Sequence, residues 1–404
     1  MKITKVEPIL CDGGWWPWVF VKVETDEGIT GYGECSDNRA CPLGVAGCVK
    51  DMEHILLGQD PRPVEKLYWD MYRPNRQNIG GVAQKAIAGI DTALWDIKAK
   101  ALGVPLYELF GGPFRDKVRL YWSHCGTYRA WFPDLFKTPP LRTMEDIANL
   151  GREVVSRGFT ALKTNMVVPG DPARVIWATE GNALNIDYDI LEAVEKLIST
   201  FRQAVGDKID ICLDLNFNFK TEGFIRIARA VEPYNLMWLE IDTYDPQALL
   251  QIKQSTRVPI CSTENLYTSR GYKPFFDLHS MDVAMIDVPW NGFTEARKIA
   301  ALADIYEIPI SPHNYYSHLS TLMSAHLCAS VPNVKIMEFD EDSAPWRDDI
   351  ITEPLDIKDG YLNIPNRPGL GADLNEKEIA KHPWPKEDKR RGSMDIKGAV
   401  TQWI

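Results

Sequence analysis

The chain has 404 residues, 45% of them hydrophobic and 25% charged, with a formal net charge of −11. That length exceeds one small core and suits a barrel with a second domain, and the composition is that of a soluble globular protein. The acidic balance, with no basic stripe, excludes nucleic acid as a partner, and no apolar run reaches the roughly 18 residues that a membrane span needs.

The chain opens on MKITKVEPIL, a strand-like segment and not a signal peptide, so a cytoplasmic location is expected. MKITKVEPILC, WVFVKVETDEG and ITGYGEC alternate like antiparallel strands, with a turn at Asp26-Glu27-Gly28. Apolar residues at helical spacing run from Val82 to Leu102 and stop at Gly103-Val104-Pro105. Residues 1–117 therefore read as an α+β domain. Trp15, Trp16 and Trp18 are placed in a loop between its strands.

From Lys117 the pattern becomes strand–helix alternation. Eight barrel strands are predicted at VRLYWSHCG, TALKTN, IDICLDLN, LMWLE, VPICSTE, DVAMIDV, IPISPHN and VKIMEFD. They assign residues 118–345 to an α/β barrel. After the second strand, Met166 to Leu184 is unusually long, as a lid or specificity element at a barrel mouth would be. Beyond Asp340 the chain is rich in Pro and Gly, and residues 346–404 are expected to return to the first domain. The tail after His382 is polar and basic (KEDKRR). The eight cysteines (Cys11, Cys35, Cys41, Cys48, Cys125, Cys212, Cys261, Cys328) form no CxxC pair and read as buried thiols in a reducing compartment.

Three acids close successive apolar runs: Asp214 in ICLDLN, Glu240 in LMWLE and Glu264 in VPICSTE. Their separations of 26 and 24 residues match one strand, one helix and two loops. Each acid therefore ends a parallel strand, at the face where barrels of this kind carry catalysis. Three carboxylates converging on a point repel each other unless a cation lies between them, and hard oxygen donors favour Mg²⁺, one per subunit. The alternative is that strand-end acids are solvated or cap the next helix. Asp287 and His313 end the sixth and seventh strands, and an acid beside an imidazole orients the ring and raises its basicity.

GQDPRPVEKLYWDMY, AIAGIDTALWDIKAKALGVPLYELFGG, the three acids, IDVPWNG and SPHN together resemble the enolase superfamily, in its mandelate racemase-like group of sugar-acid dehydratases and racemases. The similarity spans about residues 1–380. It implies a modified (β/α)₇β barrel whose mouth is closed by a capping domain built from both chain ends. It further implies Mg²⁺ on Asp214, Glu240 and Glu264, His313 as general base, Asp287 as its orienter, and Glu338 at the position that bonds the substrate carboxylate. The common step is removal of the proton alpha to a carboxylate. A small-molecule carboxylate, a sugar acid, is the implied substrate, and a homo-oligomer the implied assembly.

The second strand departs from the racemase pattern Lys-x-Lys, reading Lys163-Thr164-Asn165. Lys163 remains as a cation near the substrate carboxylate, whereas Asn165 accepts no proton. The histidine that some galactonate-type dehydratases carry after the first metal ligand is Asn216, and the usual Glu-Glu-Pro reads Glu240-Ile241-Asp242. One-face chemistry, deprotonation at C2 followed by loss of the C3 hydroxyl to give a 2-keto-3-deoxy acid, is therefore favoured. Racemisation, epimerisation or cycloisomerisation is the runner-up, and a catalytically silent metabolite-binding barrel the third reading. Asn165, Asn216, His124, Trp16 and Trp346 are candidate substrate contacts, with Tyr128 and Arg129 behind them, and His318 and His326 are read as structural.

Overall fold

The computed structural model describes residues 1–36, 41–176 and 186–384. The basic tail and the end of the long segment after the second barrel strand lie outside these residues.

The first strands, Ile3–Asp12, Pro17–Thr25 and Thr30–Glu34, form an antiparallel meander. Three helices follow, Pro42–Leu56, Val64–Asn75 and Val82–Leu102. The last has the predicted bounds and ends on Gly103 in the left-handed conformation (φ 69°), whose N–H closes back on Ala99 and Lys100. It lies directly on the third strand. A Cβ on Gly31 would come 2.1 Å from the Ala93 carbonyl oxygen, and one on Gly33 2.1 Å from that of Gly89. Trp18 is a correction: it lies inside the second strand, paired with Cys11 and buried, so only Trp15 and Trp16 occupy the turn.

All eight predicted barrel strands are present: Lys117–Trp122, Ala161–Thr164, Asp210–Asp214, Trp238–Glu240, Ile260–Ser262, Val283–Asp287, Ile310–His313 and Met337–Phe339. Neighbours pair in parallel in chain order. The eighth pairs with the first through Met337↔Leu120 to Phe339↔Trp122, and a parallel bridge between Ile310 and Val334 joins the seventh to the eighth. Ser123 to Gly126 leave the first strand early, because His124 (φ 46°) and Gly126 (φ 90°) turn the chain.

Period-two alternation builds the barrel interior in layers. Tyr121, Ala161, Cys212, Trp238, Cys261, Val283, Met285 and Ile336 form a closed apolar cluster. The opposite faces of these strands join the larger core that runs through the helices and the first domain.

The C-terminal segment touches both units. Tyr361–Asn363 pairs antiparallel with the first barrel strand. Farther on, Leu370 N–H donates to Asp96, Glu376 accepts from Tyr32 and Lys22, and Cys11 bridges Pro383. A second link crosses from cap to barrel at Glu34. This fully buried carboxylate accepts from Ser36 Oγ, Ser317 Oγ and the Ser317 and Ser320 N–H groups. The last two open the helix His318–Ser330, so an anion from the cap sits on a barrel helix's N-terminus. Burial still pushes Glu34 up to about 7 against those donors.

Of the eight cysteines all are free, and only Cys41 is exposed. Among the described residues no helix is long and apolar enough to cross a membrane.

Gly33→Ala should lower stability by about 3 kcal/mol, because its methyl meets backbone that cannot rotate away. Urea unfolding checks this; an unchanged midpoint would mean that helix and sheet separate at little cost.

A polar ring above the barrel core

Two residues beyond the apolar layer, the interior turns polar. Ser123, Lys163, Asp214, Glu240, Asp287, His313 and Glu338 are all buried there. Asp214 is the direct register partner of Glu240, and Asp287 of His313.

Lys163 is the hub. Its ammonium lies 2.7 Å from Glu240 Oε1, 2.8 Å from Glu338 Oε1 and 3.9 Å from Asp214 Oδ2. Burial opposes its charge, yet Glu240 and Glu338 hold it protonated well above the usual lysine range. Burial would likewise raise Glu338, but Lys163 and His313 hold it below the usual carboxylate range. Glu338 also accepts from Ser123 Oγ and, at 2.7 Å, the Asn314 N–H. Glu240 Oε2 accepts from the Trp238 indole at 3.0 Å. Lys163 and Glu338 thus form the floor of the site.

Glu264 enters through strain. Alternation from inward-facing Cys261 would turn residue 263 inward. Instead Thr263, β-branched and at φ 88°, kinks the chain, and Glu264 Oε2 reaches 3.4 Å from His313 Nε2. Asp242 lies in the same anionic group. Burial, with Asp242 beside it, pushes Glu264 up to about 8, and burial, with Asp214 and Glu240, does the same to Asp242.

The imidazole of His313 is held at Nδ1 by Asp287 Oδ2, 2.7 Å away. Asp287 also accepts from Tyr316 OH at 2.7 Å and Trp290 N–H at 2.8 Å, which fix the carboxylate that fixes the ring. Burial favours a neutral His313, but Glu264, Asp287 and Glu338 overcome it and push the ring up to about 10. Nε2 is left facing the acid cluster.

Asp242 Oδ1 is buried without a hydrogen-bond partner among the described residues, and Glu264 Oε2 has no donor nearer than the His313 ring at 3.4 Å. Orphaned oxygens amid like charge are what a cation would satisfy. The donor set is all oxygen, which suits a hard divalent ion. Among the described residues no trio of His, Cys, Asp or Glu donors already converges on one point. Lys163 draws Glu240 aside, and Asn216 binds Asp214 through its N–H (2.8 Å) and side-chain amide (3.1 Å).

Of the candidate contacts, Asn165 donates to Asn216 at 3.2 Å and accepts from Thr127 at 2.8 Å, so both amides line the wall beside Asp214. Trp16 packs edge-on to Tyr315, whose ring is 4.9 Å from that of His313. His124 stacks on Tyr128 and binds Asp340. Trp346 donates its indole N–H to the Asp12 carbonyl and stacks its ring on His382, at the junction of cap and C-terminal segment. Arg129 is likewise spent on Asp342 and Glu153. Sequence reasoning missed Tyr316, Tyr315 and Asp340. The first two directly follow the SPHN segment, and that adjacency was the one available signal.

Residues 15–111 match the mandelate racemase/muconate lactonizing enzyme N-terminal domain, and residues 146–378 the enolase C-terminal domain-like family. Among curated relatives, the D-xylonate dehydratase of Haloferax volcanii is 30% identical, over 94% of this chain and 89% of its own length. The D-galactonate dehydratase of Pectobacterium atrosepticum is 28% identical over the full length of both. Among solved structures, a Burkholderia xenovorans LB400 protein, provisionally named an L-alanine-DL-glutamate epimerase and bound to magnesium and fumarate, is 38% identical with a TM-score of 0.93, covering 97% of this chain and 99% of its own. On its fold and its sequence alike, the chain belongs to the mandelate racemase/muconate lactonizing enzyme family of the enolase superfamily.

Proposed function

We propose that the protein is a lyase, a hydro-lyase that removes water from a sugar acid to give a 2-keto-3-deoxy acid. The observation that carries this over racemisation is the second strand. Asn165 stands where a second base would, and its amide is committed to Asn216 and Thr127. The pocket then lacks the second-strand base on which racemisation across both faces relies. Relatives named D-xylonate, D-gluconate and D-galactonate dehydratase, at 28–30% identity, support the same class.

In this reading His313 Nε2 takes the C2 proton once positive charge beside Glu264 offsets the acids that otherwise keep the ring protonated, and Asp287, braced by Tyr316 and Trp290, keeps the ring in the tautomer that can receive it. A divalent cation held by Asp214, Glu240 and Glu264 supplies positive charge against the substrate carboxylate as it becomes electron-rich. Lys163 acts from below, keeping Glu338 ionised and holding both Glu240 and Glu338 in place. Asn165 and Asn216 shape the wall beside Asp214 against which the substrate's hydroxyls lie. Trp16 and Tyr315 exclude water from the mouth. Epimerisation stays as the second reading because of the Burkholderia xenovorans protein's provisional name.

Two tests follow from this site. A screen of C4 to C6 aldonic and aldaric acids with Mg²⁺ should yield keto acid from at least one, and His313→Asn should cut that rate by about 10³-fold. Deuterium exchange at C2 without keto acid in the wild type would instead establish epimerisation. Mg²⁺ should also raise the melting temperature, by about 2.7 kcal/mol of added stability at a hundredfold excess over Kd. Glu264→Gln should remove most of that gain, and an equal gain in the variant would exclude Glu264 as a ligand.

A further inference from the structure

Loss of a C3 hydroxyl needs a proton for the departing oxygen, and His313 can return the one it takes from C2 only to a hydroxyl on its own face. Asn165 and Asn216 have none to give, and Lys163 is buried between Glu240 and Glu338. We infer that His124, held by Asp340, is the second proton carrier of this pocket and the general acid of the elimination, an inference that rests on the dehydratase reading above.

The first and eighth strands, neighbours in the ring, end in a second histidine–carboxylate pair. His124 Nδ1 lies 2.9 Å from Asp340 Oδ1, with Ser123 Oγ 3.2 Å away. The Asp340 side chain is 4% exposed and that of His124 16%, so the carboxylate is fixed while the ring keeps contact with solvent. The imidazole lies flat on Tyr128, at 4.4 Å and 12°. With Nδ1 used, Nε2 carries no hydrogen bond among the described residues. Tyr315 packs against both dyads, 4.9 Å from the His313 ring and 6.0 Å from that of His124, so the two imidazoles flank one mouth. The backbone of His124 is left-handed, at φ 46°, a strained conformation held here by the Asp340 bond and the Tyr128 stack.

The proton balance closes with the two histidines. His313 takes the C2 proton. The electron pair of that bond passes first into the carboxylate, giving an enediolate that can return to substrate, and then forms the C2=C3 double bond as the C3–O bond breaks. The imidazolium of His124 gives its Nε2 proton to the departing oxygen, which leaves as water, while Nδ1–H stays on Asp340. The enol left behind takes a proton at C3, loses that of its C2 hydroxyl and becomes the 2-keto acid. Solvent reprotonates His124.

The test runs wild type, His124→Asn, Asp340→Asn and His313→Asn in D₂O with Mg²⁺ and C4 to C6 aldonates, reading C2 deuteration and keto acid in parallel. Asn tolerates the left-handed backbone at 124, which protects the fold. His124→Asn should lower keto-acid formation by about 100-fold while leaving, or uncovering, C2 exchange. Asp340→Asn should shift the ratio of exchange to elimination in the same direction, and it decides the matter if His124→Asn melts early. His313→Asn should lose both signals. Elimination within tenfold of wild type in His124→Asn, or an equal fall of both signals, would overturn the acid role alone. A wild type that exchanges C2 but forms no keto acid would overturn the dehydratase reading and this role with it.

Discussion

A closed parallel barrel places residues of equal depth on one ring, and in this chain that ring is crowded with carboxylates. Asp214, Glu240, Asp287 and Glu338 sit within it, joined by Asp242 and Glu264 from the loops just beyond. Such an arrangement is stable only with positive charge in its midst, and the protein supplies a single lysine at the floor and an imidazole at the side. Lys163 neutralises the deep edge by touching Glu240 and Glu338 together. The shallow edge, where among the described residues Asp242 Oδ1 is unpartnered and Glu264 Oε2 has no donor nearer than the His313 ring, stays short of cation. Deep neutralisation with shallow deficit gives a site whose mouth favours a cation while the imidazole of His313 stays fixed on Asp287.

Much of this was legible in the sequence because barrel strands announce themselves. Buried on both faces, they read as short apolar runs, and a polar residue ending such a run marks the mouth. Asp214, Glu240, Asp287, His313 and Glu338 follow that rule directly. Glu264 also ends such a run but turns inward by a different route, since Thr263 adopts a strained φ before the side chain can do so. No apolar pattern encodes that kink. Long-range partners were the other blind spot. That Lys163 would bridge two acids, that Tyr316 would brace Asp287 and that Asp340 would meet His124 depend on strands 29 to 216 residues apart in the chain.

The capping domain acts in the same chemistry. Trp16 reaches Tyr315, and through it the imidazole, from a turn whose position is set by a three-stranded sheet lying on one helix. Glycines at Gly31 and Gly33 permit that sheet and helix to touch through backbone alone. Misplacing them would shift the tryptophan relative to the ring it covers, so packing far from the site sets how dry the site becomes.

Glu34 gives that coupling a direction. Its carboxylate, carried by the cap, satisfies the first N–H groups of the helix that begins five residues after His313. Between them lie Asn314, which holds Glu338, and Tyr316, which holds Asp287. Without that acid the helix start would lose its anion and the segment bracing the dyad its anchor. The alignment of the Asp287–His313 pair is therefore tied to where the cap sits, through one buried carboxylate.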